Sequence, residues 1–257
     1  MKKAVDNFTV IENTALNASN FLIRLKSPVS LQELVPGQFV NIEINNTDQV
    51  FLRRPFSIFE INYEEQTLSL IVKILGKGSK ILSKIKPLET LSLVYPLGKG
   101  FTKPNINDKI LCIGGGSGVA PMLFLAKTSG LPKENIHIIL GARSKEDVIN
   151  IEEYNNFGQV HFTTEDGSVG KKGRVTDHPL FAEELISFNK VYSCGPEPMM
   201  KAIATKAKEK KVFCEVSLEN LMACGFGVCL CCIEPTDEGN LCVCTEGPVF
   251  NINSLKW

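Results

Sequence analysis

Short apolar runs separated by turn residues fill roughly the first hundred residues of the chain. Turns such as Pro36-Gly37 and Asn45-Asn46 lie between six runs, which cover residues 8–11, 21–25, 39–44, 56–61, 68–74 and 91–95. Six short strands with such turns predict a small antiparallel β-barrel. Apolar residues at 81, 82 and 85 have helical spacing instead, so residues 79–85 predict one short helix.

From residue 109 onward, the pattern changes to strands that alternate with helices. The predicted strands cover residues 110–113, 136–140, 160–163, 191–194 and 212–216. The predicted helices cover residues 119–127, 145–155 and 197–210. Such alternation is typical of a parallel α/β sheet wound in the Rossmann manner. Ser144, three residues before Asp147, predicts a capping box at the start of the second helix.

The chain has 257 residues, enough for two compact domains or slightly more. Apolar residues make up 44%, and 28 basic side chains balance 28 acidic ones, which excludes a disordered chain or a general nucleic-acid binder. The predicted fold class is therefore α/β plus β. It comprises a barrel over residues 1–104, a Rossmann-like domain over residues 105–213 and a short segment over residues 214–257.

No part of the sequence predicts a membrane span or a secretion signal. The longest apolar stretch, residues 110–126, is interrupted by glycines and is shorter than the roughly 20 residues that a span needs. Met1-Lys2-Lys3 leads into Asp6-Asn7 without an apolar segment, so we expect no signal peptide. A cytoplasmic location is the resulting expectation.

The nine cysteines are unevenly distributed, since six of them lie within residues 224–244. Thiols stay reduced in the cytosol, so this crowding favours metal or redox chemistry over disulfides. A segment of 44 residues is marginal for independent folding. We expect it to lean on the second domain and on a bound metal centre.

Cysteine spacing in this segment is that of a plant-type 2Fe-2S site. Cys224-x4-Cys229-x2-Cys232 needs a distant fourth thiolate. Spacing leaves Cys242 or Cys244 for that role, and Cys231 is expected to be a bystander. Zinc is the alternative, but zinc sites prefer paired C-x2-C knuckles, and the chain has one such pair. Flexible glycines at 225 and 227 suit a loop that directs backbone amides at the sulfurs.

A flavin site is predicted on the barrel by Arg54-Pro55-Phe56-Ser57 and by Gly78-Ser79. A flavin dinucleotide needs a cation for its pyrophosphate, a donor near the isoalloxazine N5 and an amide-rich turn for its phosphate oxygens. Arg54, Ser57 and Gly78-Ser79 could supply them in that order. Each feature alone is common on solvated surfaces. Together they resemble the FAD domain of the ferredoxin reductase superfamily, whose R-x-[YF]-S signature Arg54 to Ser57 matches.

A nucleotide site is predicted by the glycine-rich turn at residues 114–121, between a strand and a helix. The nearest fit to G-x-G-x-x-G is Gly116-x-Gly118-x-x-Pro121, which taken alone could be a structural turn. Cys194-Gly195-Pro196 also follows a strand, and the same superfamily carries a C-G-P element beside the nicotinamide. We therefore predict a pyridine nucleotide, and Arg143 leaves NAD or NADP open.

The three histidines, His137, His161 and His178, stand in no motif of acid-base or nucleophilic catalysis. A satisfied structural role is predicted for each. The sequence also contains no site for an organic substrate. Electron transfer between bound cofactors is therefore the predicted activity, with no catalytic side chain.

The order of these regions resembles the electron-transfer subunit family of type B, NAD-dependent dihydroorotate dehydrogenase. The resemblance covers essentially the whole chain. Its motifs are Pro36-Gly37-Gln38-Phe39, residues 54–57, residues 114–121, residues 194–196, Ser217-Leu218-Glu219, residues 222–225 and residues 244–250. The last two motifs are the most specific.

The resemblance implies that Cys244 is the fourth ligand. It implies that Arg54 anchors the pyrophosphate, that Ser57 touches the flavin near N5, and that further flavin contacts come from Ile71, Val72, Lys73, Gly78 and Ser79. Electrons would pass from dihydroorotate, oxidised at FMN in a separate α/β-barrel subunit, through the 2Fe-2S cluster and FAD to NAD+, in pyrimidine biosynthesis. A heterotetramer of two plus two subunits is expected.

Two other functions compete with this interpretation. The first is a subunit of another anaerobic NAD(P)H oxidoreductase, of the ferredoxin-NADP reductase, sulfide dehydrogenase or sulfite reductase type. Relatives of the first two kinds tend to replace the first cluster cysteine by Asp, whereas this chain has Cys224. The second is a zinc-stabilised, nucleotide-sensing binding module, which an absorption spectrum would separate.

Overall fold

The computed structural model describes residues 2–44, 50–149, 152 and 154–257. The predicted turn at Asn45-Asn46 lies outside the described residues. No helix in the described ranges has the length and apolar character needed to cross a membrane.

The first region is a closed barrel of six antiparallel strands, as predicted, in the order β1-β2-β5-β4-β3-β6. A short helix, α1 (Lys77–Leu82), lies between β5 and β6 and ends three residues before the predicted end. The strands are β1 (Ala4–Ala15), β2 (Asn20–Lys26), β3 (Phe39–Ile42), β4 (Arg54–Asn62), β5 (Thr67–Lys73) and β6 (Thr90–Leu97).

Strand β3 is buried on both faces, which explains why its polar and apolar residues do not alternate. Val40 and Ile42 pack into the barrel core. Phe39 packs in a second core with cysteines of the C-terminal segment. Successive side chains of a strand point to opposite faces, so Phe39 and Asn41 share the face that the C-terminal segment covers.

The second region is a sheet in the order β10-β9-β8-β7-β11-β12-β15, parallel except for the last pair. Because the chain leaves β7 toward one edge and returns at β11 on the other side, a crevice opens at the carboxyl ends of these two strands. The strands are β7 (Ile110–Gly115), β8 (Ile136–Ala142), β9 (Gln159–Thr164), β10 (Lys171–Lys172), β11 (Lys190–Cys194), β12 (Phe213–Ser217) and β15 (Val249–Asn251). The helices are α2 (Ala120–Thr128), α3 (Tyr154–Phe157), α4 (Pro179–Ala182) and α5 (Glu197–Lys210).

The helix predicted over residues 145–155 does not form as one element. A 3-10 turn covers Lys145–Asp147, Val148 is extended, and α3 begins at Tyr154; residues 150, 151 and 153 lie outside the described part. The capping box predicted for Ser144 is also wrong, because the Ser144 side chain makes no capping hydrogen bond. Buried Ile149 and Tyr154 pack against the core around α2, and tertiary packing overrides the local helical pattern.

The C-terminal segment contacts both other regions. Strands β13 (Ile233–Thr236) and β14 (Gly239–Cys242) form a hairpin, and β15 then joins the second sheet beside β12. Between them, the Gly247 carbonyl accepts from Lys99 N at 2.5 Å and the Pro248 carbonyl accepts from Leu218 N at 2.8 Å. The predicted boundaries at 104/105 and 213/214 stay a proposal, and β12 runs across the second of them.

Two barrel glycines allow the C-terminal segment to pack this closely against the barrel. A Cβ atom at Gly98 would lie 2.5 Å from Pro248 Cδ, and one at Gly37 would lie 2.7 Å from Val249 Cγ2. Both glycines also have positive φ angles, of 75° and 94°. Any other residue would therefore clash with the C-terminal segment and strain the backbone.

The three histidines lie side by side in the second domain, although the sequence separates them widely. The His137 and His161 rings stack with centroids 5.8 Å apart, and the His161 and His178 centroids are 5.0 Å apart. His178 Nδ1 accepts from Leu180 N, which fits the predicted structural role. His137 is hydrogen-bonded to the backbone of Glu134. His137 Nδ1 and His161 Nε2 are buried without a partner among the described residues, so these two rings are not fully satisfied.

This histidine stack predicts that acid destabilises the fold. Burial, together with the charges of Lys109 and His161, lowers the pKa of His137 to about 4 from 6.5, and burial lowers the pKa of His161 and His178. The unfolded chain therefore binds more protons below pH 6.5, and the free energy of unfolding falls as the pH decreases toward 4. As the pH decreases toward 4, the free energy of unfolding should fall by on the order of 1 to 2 kcal/mol less in His137→Gln than in the wild type. Urea denaturation at two pH values measures this difference. Equal losses in the two proteins would contradict the expectation.

Candidate functional site

Two of the predicted flavin contacts meet at one end of the barrel. The Arg54 side chain crosses Gly78, where an added Cβ would lie 3.4 Å from Arg54 Cγ and Nε. The Arg54 guanidinium donates to the carbonyl oxygens of Leu52 at 2.8 Å and Arg53 at 3.2 Å. The Ser79 hydroxyl accepts from the backbone amides at 75 and 76, so it orders the turn before α1. A cation and a turn are thus placed together, as a dinucleotide pyrophosphate requires.

Strand register places the rest of the flavin signature. Ser57 is paired with Phe39, and Pro55 is paired with Asn41. Paired residues share a face of the sheet, so Pro55 and Ser57 lie on the outer face beside the C-terminal segment. Phe56 packs against the barrel core instead.

On β5 the predicted flavin contacts divide between two faces. Val72 is fully buried in the barrel core, so only its backbone is available to a ligand. Ile71 packs with Val119 and Val249 at the junction of the two domains. Lys73, two residues later, is exposed on that same face. Ile71 and Lys73 therefore line the junction with their side chains.

The two nucleotide motifs lie in contact at the crevice between β7 and β11. A Cβ at Gly118 would lie 2.3 Å from the Cys194 carbonyl oxygen, and one at Gly195 would lie 3.0 Å from Gly115 N. Gly116 has a φ of 56°, and nothing lies within 4 Å of where its Cβ would be. The glycines thus allow the two turns to pack closely while the Gly116 backbone stays open for a ligand's close approach.

An acidic side chain to which the sequence pattern assigns no role lies beside this turn. Asp147 lines a depression together with Gly116 and Gly141, at the carboxyl end of β8. In the usual dinucleotide-binding pattern, the acid that contacts the ribose follows the glycines by about twenty residues. Asp147 follows Gly118 by 29 residues and lies in a segment predicted to be helical, so spacing could not find it.

Glu219 is a second residue to which the sequence assigned no role. The residue as a whole is exposed, but desolvation of its carboxyl group raises its pKa, and the smaller effect of the Lys73 charge lowers it. The Glu219 charge also raises the pKa of the Cys194 thiol, beyond the larger effect of burial. Glu219 therefore lies within electrostatic range of Lys73 of the barrel and of Cys194 of the nucleotide domain. The motif Ser217-Leu218-Glu219 was the only signal for it.

The loop after Cys224 is shaped to direct backbone amides at sulfur. Gly225, Gly227 and Leu230 have positive φ angles of 81°, 88° and 57°. Phe226 N lies 3.5 Å from Cys224 Sγ. Burial raises the pKa of Cys224, but donation from Phe226 and Cys229 outweighs it and lowers the value to about 6. Such a thiol readily becomes the thiolate that binds iron.

The four predicted ligands come together in two pairs. The Cys229 thiol donates to Cys224, and Cys244 N lies 3.4 Å from Cys232 Sγ. Within the described ranges, no three His, Cys, Asp or Glu side chains converge as one metal ion requires. Two neighbouring thiol pairs are compatible with a two-iron centre, in which four thiolates would hold the cluster. Cys242 also lies near Cys232, so proximity leaves both candidates for the fourth ligand.

Family models match all three regions. Residues 7–101 match an oxidoreductase FAD-binding domain, and residues 112–205 match an oxidoreductase NAD-binding domain. Residues 219–256 match the iron-sulfur cluster binding domain of dihydroorotate dehydrogenase B.

Curated relatives match over nearly the full length. The dihydroorotate dehydrogenase B (NAD(+)) electron transfer subunit of Fusobacterium nucleatum subsp. nucleatum is 38% identical over 258 residues, covering 98% of each chain. That of Shouchella clausii is 31% identical over 261 residues, covering 99% of each. The chain belongs to the dihydroorotate dehydrogenase B electron transfer subunit family.

Solved structures agree with this membership of the dihydroorotate dehydrogenase B family at the level of fold. A chain of the NADH-dependent reduced ferredoxin-NADP oxidoreductase structure is 29% identical with a TM-score of 0.85, covering 97% of this chain and 90% of that one. The ferredoxin reductase in carbazole 1,9a-dioxygenase shares the fold at 23% identity, with a TM-score of 0.73 and coverage of 82% and 67%.

The predicted family, fold class and cofactor types are thereby confirmed: the chain is a flavoprotein oxidoreductase subunit with FAD-, NAD- and iron-sulfur-binding domains. The name of the dihydroorotate dehydrogenase B electron transfer subunits implies a catalytic partner subunit. The individual ligand residues remain predictions, and two experiments test them.

Arg54→Ala should weaken FAD binding in this dihydroorotate dehydrogenase B family member. It removes charge-assisted hydrogen bonds worth roughly 1.5 to 3 kcal/mol, which corresponds to about 10- to 100-fold in affinity. Arg53→Ala is the matched control, because the Arg53 guanidinium bonds to Glu43 at 2.6 Å and to the Ser92 carbonyl at 2.7 Å. Flavin titration of the apoproteins measures both. Equal affinity in Arg54→Ala and the wild type would remove Arg54 from the site.

Serine substitutions should separate cluster ligands from bystanders. Iron content and the visible circular dichroism spectrum should collapse in variants of the predicted ligands, because serine replaces a thiolate. Both should persist in Cys231→Ser and Cys242→Ser. If Cys242→Ser lost the cluster and Cys244→Ser kept it, the fourth ligand would be Cys242. The ligand variants are Cys224→Ser, Cys229→Ser, Cys232→Ser and Cys244→Ser.

Proposed function

We propose that this chain passes electrons from a separate, dihydroorotate-oxidising FMN subunit through a 2Fe-2S cluster and FAD to NAD+. The observation that carries the proposal is the order of the three sites. The cluster loop touches the barrel at Asn41, which is paired in register with Pro55 of the flavin signature. On the other side, Ile71 packs with residues of the nucleotide domain, and Lys73 on the same face lies within electrostatic range of Glu219.

This order matches the chemistry that the relay needs. FAD, when bound, converts between the single electrons of a cluster and the electron pair of a nicotinamide. The side chains hold and orient the carriers: Arg54 binds the pyrophosphate and Ser57 donates toward the flavin. Gly116 and Gly118 let the dinucleotide approach the backbone, with Cys194, Gly195 and Pro196 beside the nicotinamide. The proposed relay requires no side chain as nucleophile or base.

The cluster end of the relay has an apolar surface suited to a protein partner. Leu221, Val228 and Leu230 are 84%, 75% and 60% exposed, and Phe226 is also exposed. Large apolar side chains concentrated on one loop are typical of protein contact surfaces. The proposed occupant is the FMN-containing α/β-barrel subunit, in a complex of two plus two subunits.

The proposed location is the cytoplasm. All nine cysteines are free thiols in the structure, and reduced thiols persist in that compartment. A second candidate function is electron transfer in another NAD(P)H oxidoreductase, which the similarity to the ferredoxin-NADP oxidoreductase chain favours. The electron donor distinguishes the two functions.

Reconstitution tests the relay directly. The chain alone should oxidise NADH with artificial acceptors but should not oxidise dihydroorotate, because that oxidation needs a positioned base and a second flavin, which the proposal assigns to the FMN subunit. Dihydroorotate-dependent NADH formation should appear only when the FMN subunit is added. Cys224→Ser is the control and should abolish that reaction. Full reaction in this variant, or dihydroorotate oxidation by the chain alone, would refute the relay.

A charge on the exposed loop should separate docking from internal chemistry. Val228→Asp places a carboxylate on the proposed apolar contact surface, so it should weaken binding of the FMN subunit by at least about tenfold. Leu88→Asp is the matched control, because Leu88 is even more exposed than Val228, at 85% against 75%, and lies on the barrel between α1 and β6. Sedimentation or calorimetric titration measures both affinities. Equal weakening in the two variants would remove the loop as the docking surface.

A further inference from the structure

Asn41 is a polar side chain buried at the contact between the barrel and the cluster loop. It is fully inaccessible to solvent. Asn41 Nδ2 donates to the Cys224 carbonyl oxygen at 3.2 Å, and Asn41 Oδ1 is buried without a partner among the described residues. A buried amide that leaves one polar atom unpaired is destabilising, so a structural role alone does not account for it.

The loop is fitted closely around this side chain. An added Cβ at Gly225 would lie 2.8 Å from Asn41 Nδ2 and 3.2 Å from Leu97 Cδ1. The positive φ of Gly225 already favours glycine. The loop can therefore approach the barrel this closely only if residue 225 is glycine, and the contact is made with Asn41.

Asn41 also belongs to the flavin side of the molecule. It lies on β3, and its register partner on β4 is Pro55, between Arg54 and Phe56 of the flavin signature. The residue Asn41 thus connects Cys224 with β4, the strand that carries the flavin signature. The hydrogen bond joins Asn41 and Cys224, which are 183 positions apart in the sequence.

We propose that Asn41 is a positioning residue that fixes the cluster loop against the flavin strand and thereby sets the one-electron step between cluster and flavin. This inference rests on the proposed role of Cys224 as a ligand. In each transfer toward NAD+, the cluster loses one electron and the flavin gains one. Two such transfers, together with two protons, would reduce the flavin fully. The reduced flavin would then transfer a hydride to NAD+ and release one proton.

The hydrogen bond acts on this step in two ways. It satisfies a carbonyl adjacent to the Cys224 sulfur, so the loop and its ligand keep one orientation. Its dipole also lies beside the centre whose charge changes, and hydrogen bonds near the sulfurs tune the potential of such clusters. Removing the donor should therefore change both the cluster's environment and its communication with the flavin.

The experiment compares Asn41→Leu and Asn41→Ser with a matched control, Asn20→Ser, in purified chain loaded with FAD and iron. Asn20 is a buried asparagine of the same barrel whose Oδ1 also lacks a partner among the described residues, but its Nδ2 bonds to Asn17 and Ser19. The readouts are the electron paramagnetic resonance spectrum and midpoint potential of the cluster. Freeze-quench measurement adds the rate at which the cluster is reduced after NADH reduces the flavin.

Both Asn41 variants should shift the cluster spectrum and potential and slow cluster reduction, while flavin reduction by NADH stays at the wild-type rate. Loss of one hydrogen bond should also speed iron release to a chelator by about 2- to 10-fold. The control should keep the wild-type spectrum. If only one Asn41 variant folds, the result for that variant alone tests the inference.

Three results would count against the inference, and they differ from failure of the relay itself. Unchanged cluster spectrum, potential and reduction rate in a folded Asn41 variant would overturn it, as would equal shifts in Asn20→Ser. Loss of FAD with an unaltered cluster would also overturn it, because Asn41 would then support only the flavin strand. A wild-type chain that binds no iron would instead refute the proposed function.

Discussion

The seating of Gly247 to Val249 against the backbone of both domains is the contact on which the other sites depend. This short stretch bonds to Lys99 and Leu218, lies against Gly37 and Gly98, and continues into β15 of the second sheet. Because no Cβ intervenes at the two barrel glycines, the contact has little freedom to slide. The flavin strand, the nucleotide crevice and the cluster loop are consequently held in one arrangement by a segment that supplies no predicted ligand to any of the three sites.

A second link reinforces that arrangement at the connection between the domains. The Glu215 carboxylate accepts from Thr102 N at 2.8 Å and from its hydroxyl at 2.6 Å. The Tyr192 hydroxyl donates to the Thr102 carbonyl at 2.7 Å. The backbone of a surface connection is usually left to solvent, whereas here a buried acid and a buried phenol satisfy it. The connection is therefore a fixed element of the cleft between the domains.

Much of this molecule follows from sequence pattern, and the exceptions have physical causes. Barrel strands and the helix at Glu197–Lys210 were predictable because their apolar periodicity coincides with their packing. The segment around Ile149 was not, because buried side chains draw its backbone out of a helix. Cys224, Cys229 and Cys232 are close in sequence, and local spacing indicates their chemistry. Asn41, Asp147 and Glu219 belong to their sites only through tertiary contact, which no local pattern records.

The position of Cys244 has a consequence for how folding of the chain is coupled to iron binding. It is fully buried and precedes Gly247 by three residues. The segment proposed to hold iron is therefore continuous with the residues that contact both domains. A ligand that binds only the folded form stabilises that form by mass action. Iron bound at this segment therefore also favours docking of the two domains. A cell short of iron would accumulate chains that are more open to proteases, and iron supply would thereby set the abundance of the subunit as well as its activity.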